Sequence, residues 1–343
     1  MRQSLQPYVS KLIDHQDLSE DDAQAVIGAL MRGEATHEQS AALLTAWRDK
    51  GVTADELSGA ALAMRASAAK IVVPPGILVD TCGTGGDGLG TFNISTAAAL
   101  LAAGSGTRVA KHGNRGVTSG CGSADVLMAL GVKVDVEPIV VSRCLDVVGF
   151  GFLYAPRFHP AMRHVAPVRQ QLGFRTIFNL LGPLTNPAGV THQVVGVADA
   201  GLADVMGRVL QRLGTRHALV VHGADGLDEV STTGPTRVVE IVDGRTASYT
   251  ITPEQFGFSR TSLDRLRGGE PAICAQIVRG VLEGSPGPYR DAVLLNAGCA
   301  LYVAEAAADI DGGVAMARRT LDGGRALSTL EALKTVSNTP YPL

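Results

Sequence analysis

Apolar residues recur at helical spacing through the first seventy positions. Leu5, Val9 and Leu12 form one stripe, Ala25, Ile27, Leu30 and Met31 a second, and Leu43, Leu44 and Trp47 a third. Each is the signature of a helix with one face to bury. Helix starts are marked by Ser19-x-x-Asp22, Thr36-x-x-Gln39 and Thr53-x-x-Glu56, where a hydroxyl can accept from a backbone amide of the first turn. Gly33 and Gly51 stand where two of these helices should stop. The spacing predicts a small all-helical unit over 1–70.

The pattern then changes. Ile71-Val72-Val73-Pro74-Pro75-Gly76 excludes a continuing helix and reads as a linker. From 77 onward short apolar runs alternate with Ala- and Leu-rich helical stretches. Ile77 to Asp80 precedes Ser95 to Ala103, Arg108 to Lys111 precedes Ser123 to Leu130, and Gly151 to Ala155 precedes Pro160 to Leu172. His192 to Val197 leads into Leu202 to Leu213, and His217 to His222 leads into a loop. This is the rhythm of β-α repeats, and it predicts an α/β fold with a mainly parallel central sheet flanked by helices over 77–343. Thr236 to Val242 and Ala247 to Ile251 read as extra strands open to antiparallel pairing. Two helical patterns, Arg290 to Ala307 and Gly312 to Thr335, close the chain.

Composition narrows the function classes. The 343 residues are 45% hydrophobic, enough for a large core, and a net charge of −3 gives no global basic field for nucleic acid or an anionic membrane. Any anion must be captured locally. The five cysteines, Cys82, Cys121, Cys144, Cys274 and Cys299, are odd in number and never form a C-x-x-C pair. That argues against a disulfide framework or a zinc knuckle and fits a reducing, cytoplasmic setting. Charges through the first twenty residues leave no uninterrupted signal-peptide core, and no apolar run is long enough to span a membrane.

Four segments carry candidate chemistry. Asp80-Thr81-Cys82-Gly83-Thr84-Gly85-Gly86-Asp87-Gly88 follows an apolar strand and leads into Asn93-Ile94-Ser95-Thr96 at a helix start. Dense glycines let backbone amides approach a phosphate, and the helix N-terminus favours negative charge. The spacing matches neither a P-loop nor a dinucleotide-binding fingerprint. Lys111-His112-Gly113-Asn114-Arg115 leaves the next strand, and in a parallel sheet that exit faces the same edge as the glycine loop. Asp228 and Glu229 suit a hard cation such as Mg²⁺, although an acidic pair by itself is more often a solvated loop. The stretch from Gly151 to Asn179 mixes Tyr154, Phe158 and Phe178 with Arg157, Arg169 and Arg175, a combination able to hold a flat aromatic acid or simply to pack a core.

Taken in order, these blocks resemble the anthranilate phosphoribosyltransferase family. They are Gly83 to Gly88, Thr91 to Thr96, Lys111 to Arg115, Ser123 to Leu127, His159 to Met162, Arg175 to Asn179 with Leu181 to Pro187, and His222 to Glu229. The resemblance implies transfer of the 5-phosphoribosyl group from phosphoribosyl pyrophosphate to the amine of anthranilate, within tryptophan biosynthesis. It implies that Gly83, Gly86, Asp87, Thr91, Asn93, Ser95, Thr96, Lys111, Asn114, Ser119 and Ser123 bind phosphoribosyl pyrophosphate. Gly83, Asn114 and Arg169 would line the anthranilate site, with His112 and Tyr154 as neighbours. Ser95, Asp228 and Glu229 would contact Mg²⁺, two ions per subunit. It further implies a fold like those of nucleoside phosphorylases and phosphoribosyltransferases, helices from about 160–185 joining the small domain, and a homodimer through that domain.

The chain departs from the family pattern at Met128, where Glu is frequent, and at Thr118 and Cys121, where serines are usual. The amine of an aromatic acid is already neutral at pH 7, so no residue is assigned as a general acid or base. Two rival readings remain at this stage: a pyrimidine nucleoside phosphorylase-like enzyme and a non-catalytic nucleic-acid-binding paralogue.

Overall fold

In the computed structural model, which describes residues 5–116 and 120–340, each start signal caps a helix. Helices α1 (Gln6–Ile13), α2 (Glu20–Met31), α3 (His37–Lys50) and α4 (Ala54–Ser67) follow one another. Ser19 Oγ accepts from the Asp22 amide at 3.1 Å, and Thr36 and Thr53 form complete capping boxes with Gln39 and Glu56. These bonds satisfy amides that a helix start otherwise leaves without partners. Glu56 also ties the helices together. Fully buried, its carboxylate accepts from the Thr53 and Leu18 amides, both at 2.9 Å, and pairs with Lys50 at 3.0 Å.

Beyond the linker the chain builds one seven-stranded sheet. Strands β1 (Leu78–Thr81), β2 (Arg108–Gly113), β3 (Phe150–Tyr154), β4 (His192–Gly196) and β5 (His217–Gly223) are parallel, in the order β3-β2-β1-β4-β5. Strands β6 (Thr236–Val242) and β7 (Arg245–Ile251) extend the β5 edge in antiparallel pairing. Side-chain alternation divides the two faces. Val194, Leu219, Val221 and Val238 join a core beneath α5 (Ile94–Gly104) and the C-terminal helices. Val195, Ala218, Val220, Val239 and Ile241 join α1–α4 and the helices Ala166–Leu172 and Phe178–Leu181 in a second core. The result is a small N-terminal helical domain and a large α/β domain with a mostly parallel sheet.

Four details differ from the periodicity reading. The run from Pro160 to Leu172 is two pieces, a 3₁₀ turn over Pro160–His164 and a helix over Ala166–Leu172. Pro167 is the reason: proline is tolerated in the first turn of a helix but not in its interior. The final stretch also divides, into Ile310–Asp322 and Arg325–Asn338, at Gly324 with φ 71°. Two helices, Pro138–Val147 and Pro271–Leu282, escape the periodicity reading. Both are rich in β-branched residues of low helix propensity, and packing overrides that preference.

The strand order fixes where a ligand can sit. From β1 the chain moves outward through β2 to β3, then returns to place β4 on the other side of β1. Loops leaving the carboxyl ends of β1 and β4 therefore diverge and open a crevice at the switch point.

Candidate active site

A cleft of 630 Å³ occupies that crevice. Its floor is the glycine loop after β1, the exit of β2, the first turn of α5 and the acidic pair after β5. Its roof is the segment from Ala155 to Thr185, with Met64 of α4.

On the floor, close approach demands glycine. A β-carbon at Gly83 would collide with the Asp228 carboxylate, and one at Gly86, where φ is +78°, would collide with Arg175. Asp228 in turn accepts from the Gly85 amide at 2.7 Å, and Glu229 accepts from the Ser95 amide at 3.1 Å. Asn93 makes no side-chain cap on α5, so this first turn faces the cleft, and the Glu229 carboxylate occupies the electropositive helix end.

The charges are buried and only partly offset. Burial, with the carboxylate of Asp87 close by, raises Asp228 well above the usual carboxylate range. Burial, with Asp228 beside it, raises Glu229 further, and Lys111 opposes that rise. Lys111 is 2% exposed, and its ammonium donates to the Thr81 carbonyl and, at 3.3 Å each, to Thr81 Oγ1 and Ser95 Oγ. Beneath it Asp80 is pushed up to about 6 by burial, while accepting from the His112 amide at 3.2 Å and from Asn186 Nδ2 at 2.8 Å. An all-oxygen donor set with two carboxylates short of positive charge is the chemistry of a hard divalent-cation site.

The β2 exit is braced from α6 (Ser123–Ala129). Asp125 accepts from the Gly116 and Gly122 amides, at 2.8 and 2.9 Å, and Ser123 Oγ donates to the Asn114 carbonyl at 3.3 Å. Asn93 Nδ2 donates to the Cys121 carbonyl at 3.0 Å, so the backbone of Cys121 anchors the loop, and its thiol lies 3.6 Å from the Gly122 carbonyl. Met128 faces Arg115, whose Nη2 lies 3.8 Å from the thioether.

The roof is different in kind. Arg169 lies 5.5 Å from the centre of the Phe178 ring and donates to Asn179 Oδ1 at 3.4 Å. His112 and His159 lie 5.1 Å apart, both almost fully buried. Nδ1 of His112 is 2.9 Å from the Gly182 carbonyl, while among the described residues its Nε2 has no hydrogen-bond partner. Burial lowers His112 to about 4 and His159 to about 3, so both rings are neutral at pH 7. A carboxylated aromatic ring would find here the guanidinium of Arg169, flat apolar surface and a buried imidazole.

The cleft brings together Gly83, Gly86, Asp87, Thr91, Asn93, Ser95, Thr96, Lys111, His112, Asn114, Ser123, Arg169, Asp228 and Glu229. Ser119, with Thr118, lies outside the described residues. Tyr154 is a correction. It points to the same side of β3 as Phe150 and Phe152, packs against the core there, and lines a separate recess with Arg115, Met128 and Asn338. Strand alternation therefore turns it away from the roof. Sequence reasoning gave no role to His159, Met162 or Arg163, and placed Arg175 only among the arginines that could hold an aromatic acid; all four line the cleft. For His159 a signal existed in its place directly before Pro160, at the break of a helical run.

Comparison with known proteins agrees with this architecture. Residues 6–68 match the family described as "Glycosyl transferase family, helical bundle domain", and residues 75–327 match "Glycosyl transferase family, a/b domain". The chain is 52% identical to an anthranilate phosphoribosyltransferase of Thioalkalivibrio sulfidiphilus, over 92% of this chain and 94% of that protein. The crystal structure of anthranilate phosphoribosyltransferase from Thermus thermophilus superposes with a TM-score of 0.91 at 46% identity, covering 96% of this chain and 99% of that one. The Saccharomyces cerevisiae enzyme, solved in complex with phosphoribosyl pyrophosphate and Mg, superposes with a TM-score of 0.87 at 30% identity, covering 97% of each chain.

Proposed function

The chain belongs to the anthranilate phosphoribosyltransferase family, and we propose from that membership how its cleft divides the work of the reaction. The enzyme transfers the 5-phosphoribosyl group of phosphoribosyl pyrophosphate to the amine of anthranilate and releases pyrophosphate. The rival phosphorylase and nucleic-acid readings are not favoured by relatives that share half of its residues.

The floor takes phosphoribosyl pyrophosphate. In this reading the amides of Gly83 and Gly86, the hydroxyls of Thr91, Ser95, Thr96 and Ser123, the side chains of Asp87, Asn93, Lys111 and Asn114, and Ser119 hold its phosphates and ribose. Ser95, Asp228 and Glu229 hold Mg²⁺, two ions per subunit. The shortage of positive charge around the two buried carboxylates supports this. Bound there, Mg²⁺ would offset the negative charge of the diphosphate leaving group. Lys111 adds fixed positive charge from the sheet side, already oriented by Thr81 and Ser95, so little reorganisation accompanies bond cleavage.

The roof takes anthranilate. Arg169 receives its carboxylate, and Gly83 and Asn114 meet its ring and amine at the floor. His112, neutral, offers or accepts a hydrogen bond without bringing charge. The chain holds the amine in line with C1, which is the larger part of its task. The nitrogen attacks with its own lone pair, and its proton leaves afterwards to water or pyrophosphate. No side chain acts as general base.

The core that α1–α4 share with the helices Ala166–Leu172 and Phe178–Leu181 supports a division of the chain into 1–70, joined by helices from about 160–185, and 77–343. Exposed Ile13 on α1 supports pairing of two copies through the helical domain. Five unpaired cysteines support a cytoplasmic location, and among the described residues no helix is long and apolar enough to cross a membrane.

The observation that carries the reading is the convergence of the glycine loop, Lys111 and the Asp228–Glu229 pair beneath Arg169 in one cleft. Purified protein mixed with anthranilate, phosphoribosyl pyrophosphate and Mg²⁺ should consume anthranilate fluorescence. Folded protein that leaves the fluorescence unchanged rejects the reading.

A further inference from the structure

Arg175 has no part in the division of labour above, yet it is where roof meets floor. It lies half-buried between Ala166–Leu172 and Phe178–Leu181, and it lines the cleft. Its guanidinium lies over Gly86, where an added β-carbon would displace it. Nη2 donates to the Thr84 carbonyl at 3.4 Å, and among the described residues this is its only hydrogen bond and no carboxylate pairs with it. A guanidinium carries five donors in a planar fork. One long bond leaves most of them directed at the glycine loop without an acceptor.

The arginine does not hold its own segment in place. Asn179 does that, its Oδ1 accepting from the Thr176 amide at 2.9 Å and from Arg169 at 3.4 Å. The guanidinium is thus presented to the loop by a braced turn and is free to bond elsewhere. Lys111, in contrast, is committed beneath the loop to Thr81 and Ser95. A diphosphate seated on the loop would have oxygens facing both ways, toward Lys111 on the sheet side and toward Arg175 on the helical side.

We propose that Arg175 is a diphosphate-binding residue, which takes oxygens of the leaving group from the side opposite Lys111 and so links seating of the helical roof to departure of pyrophosphate. This rests on the transferase reading of the cleft. When the C1–O bond breaks, its electron pair stays on the diphosphate oxygen, while the anthranilate nitrogen forms the new bond to C1 and later loses a proton. Arg175 takes no part in the bond changes and acts by charge and geometry. The planar fork matches phosphate oxygens two at a time, which an ammonium group cannot do.

Three variants of the full chain test this: Arg175→Ala, Arg175→Gln, which keeps length and polarity, and Arg175→Lys, which keeps charge. Inorganic pyrophosphate with Mg²⁺ is the binding probe, read by calorimetry, alongside steady-state kinetics. Loss of charge-assisted bonds predicts pyrophosphate binding and the KM for phosphoribosyl pyrophosphate weakened roughly 10- to 100-fold in Ala and Gln, with partial recovery in Lys. The KM for anthranilate should stay within about twofold, since Arg169 is untouched. Wild-type pyrophosphate affinity in folded Arg175→Gln overturns the proposal. So does a rise in anthranilate KM equal to that for phosphoribosyl pyrophosphate, because it would mean the residue only packs the turn. Failure of the transferase reading looks different: wild-type protein would itself bind no pyrophosphate and turn nothing over.

Discussion

The two walls of the cleft are built on opposite principles. The floor is crowded with bonds: amides of Gly85 and Ser95 face carboxylates, Lys111 has three oxygen partners, and glycine is required where Asp228 and Arg175 approach. The roof is sparser, with a long Arg169–Asn179 contact and a His112 Nε2 that has no partner among the described residues. A diphosphate is highly charged and heavily hydrated, so a site for it must supply fixed charge and donors in advance. A flat aromatic acid needs one guanidinium and apolar surface, and a wall of that kind can remain loosely bonded until the ring arrives.

The difference is sharpest at the acidic pair. Asp228→Asn with Glu229→Gln should lower kcat/KM by on the order of 10³-fold and raise the Mg²⁺ requirement, because neutral amides are poor ligands for a hard cation. Activity against Mg²⁺ concentration is the measurement. Unchanged Mg²⁺ dependence would make the floor an ordinary acidic loop.

On the roof, Arg169→Ala should raise the KM for anthranilate by roughly 10- to 100-fold, the cost of one charge-assisted contact, and leave that for phosphoribosyl pyrophosphate nearly untouched. Equal increases for both substrates would erase the distinction between the walls.

pH separates the walls more gently. Asp228 and Glu229 have raised values, so protons compete with the metal as pH falls through neutrality, and apparent Mg²⁺ affinity should drop by up to about tenfold per pH unit. His112, lowered to about 4, stays neutral over the same range, and the KM for anthranilate should be flat from pH 6 to 8. Initial rates at saturating co-substrate would show a bell for anthranilate if either histidine titrates there.

Legibility in the sequence follows the same divide. The floor is made of contiguous runs whose residue types carry their own geometry: glycines that admit close approach, a helix start, and adjacent carboxylates. Those runs announce themselves, and the strand-loop-helix rhythm by itself puts them on one sheet edge. The roof is assembled from side chains whose direction depends on where a turn breaks. Pro167 divides the helix that periodicity joins, and Gly173, in the left-handed region, redirects the chain toward Arg175. Tyr154 was misplaced for a related reason: one position along a strand reverses the side chain. Nor does composition foretell that Asn179 braces the turn carrying Arg175, because that bond exists only after the helical layer has packed.

The smallest expected effect lies farthest from the chemistry. Thr53→Ala removes one capping box of α4 and should cost about 1 kcal/mol in stability, read from a denaturation midpoint, with kcat unchanged. A loss of activity at constant stability would show that the helical layer transmits more to the cleft than its role as a roof requires.

The most direct measurement is a crystal structure of the enzyme soaked with phosphoribosyl pyrophosphate and Mg²⁺. The account predicts density for the diphosphate between the 83–86 amides and Lys111, with metal held at Asp228 and Glu229. Diphosphate bound elsewhere, with that pair facing only protein, would contradict it.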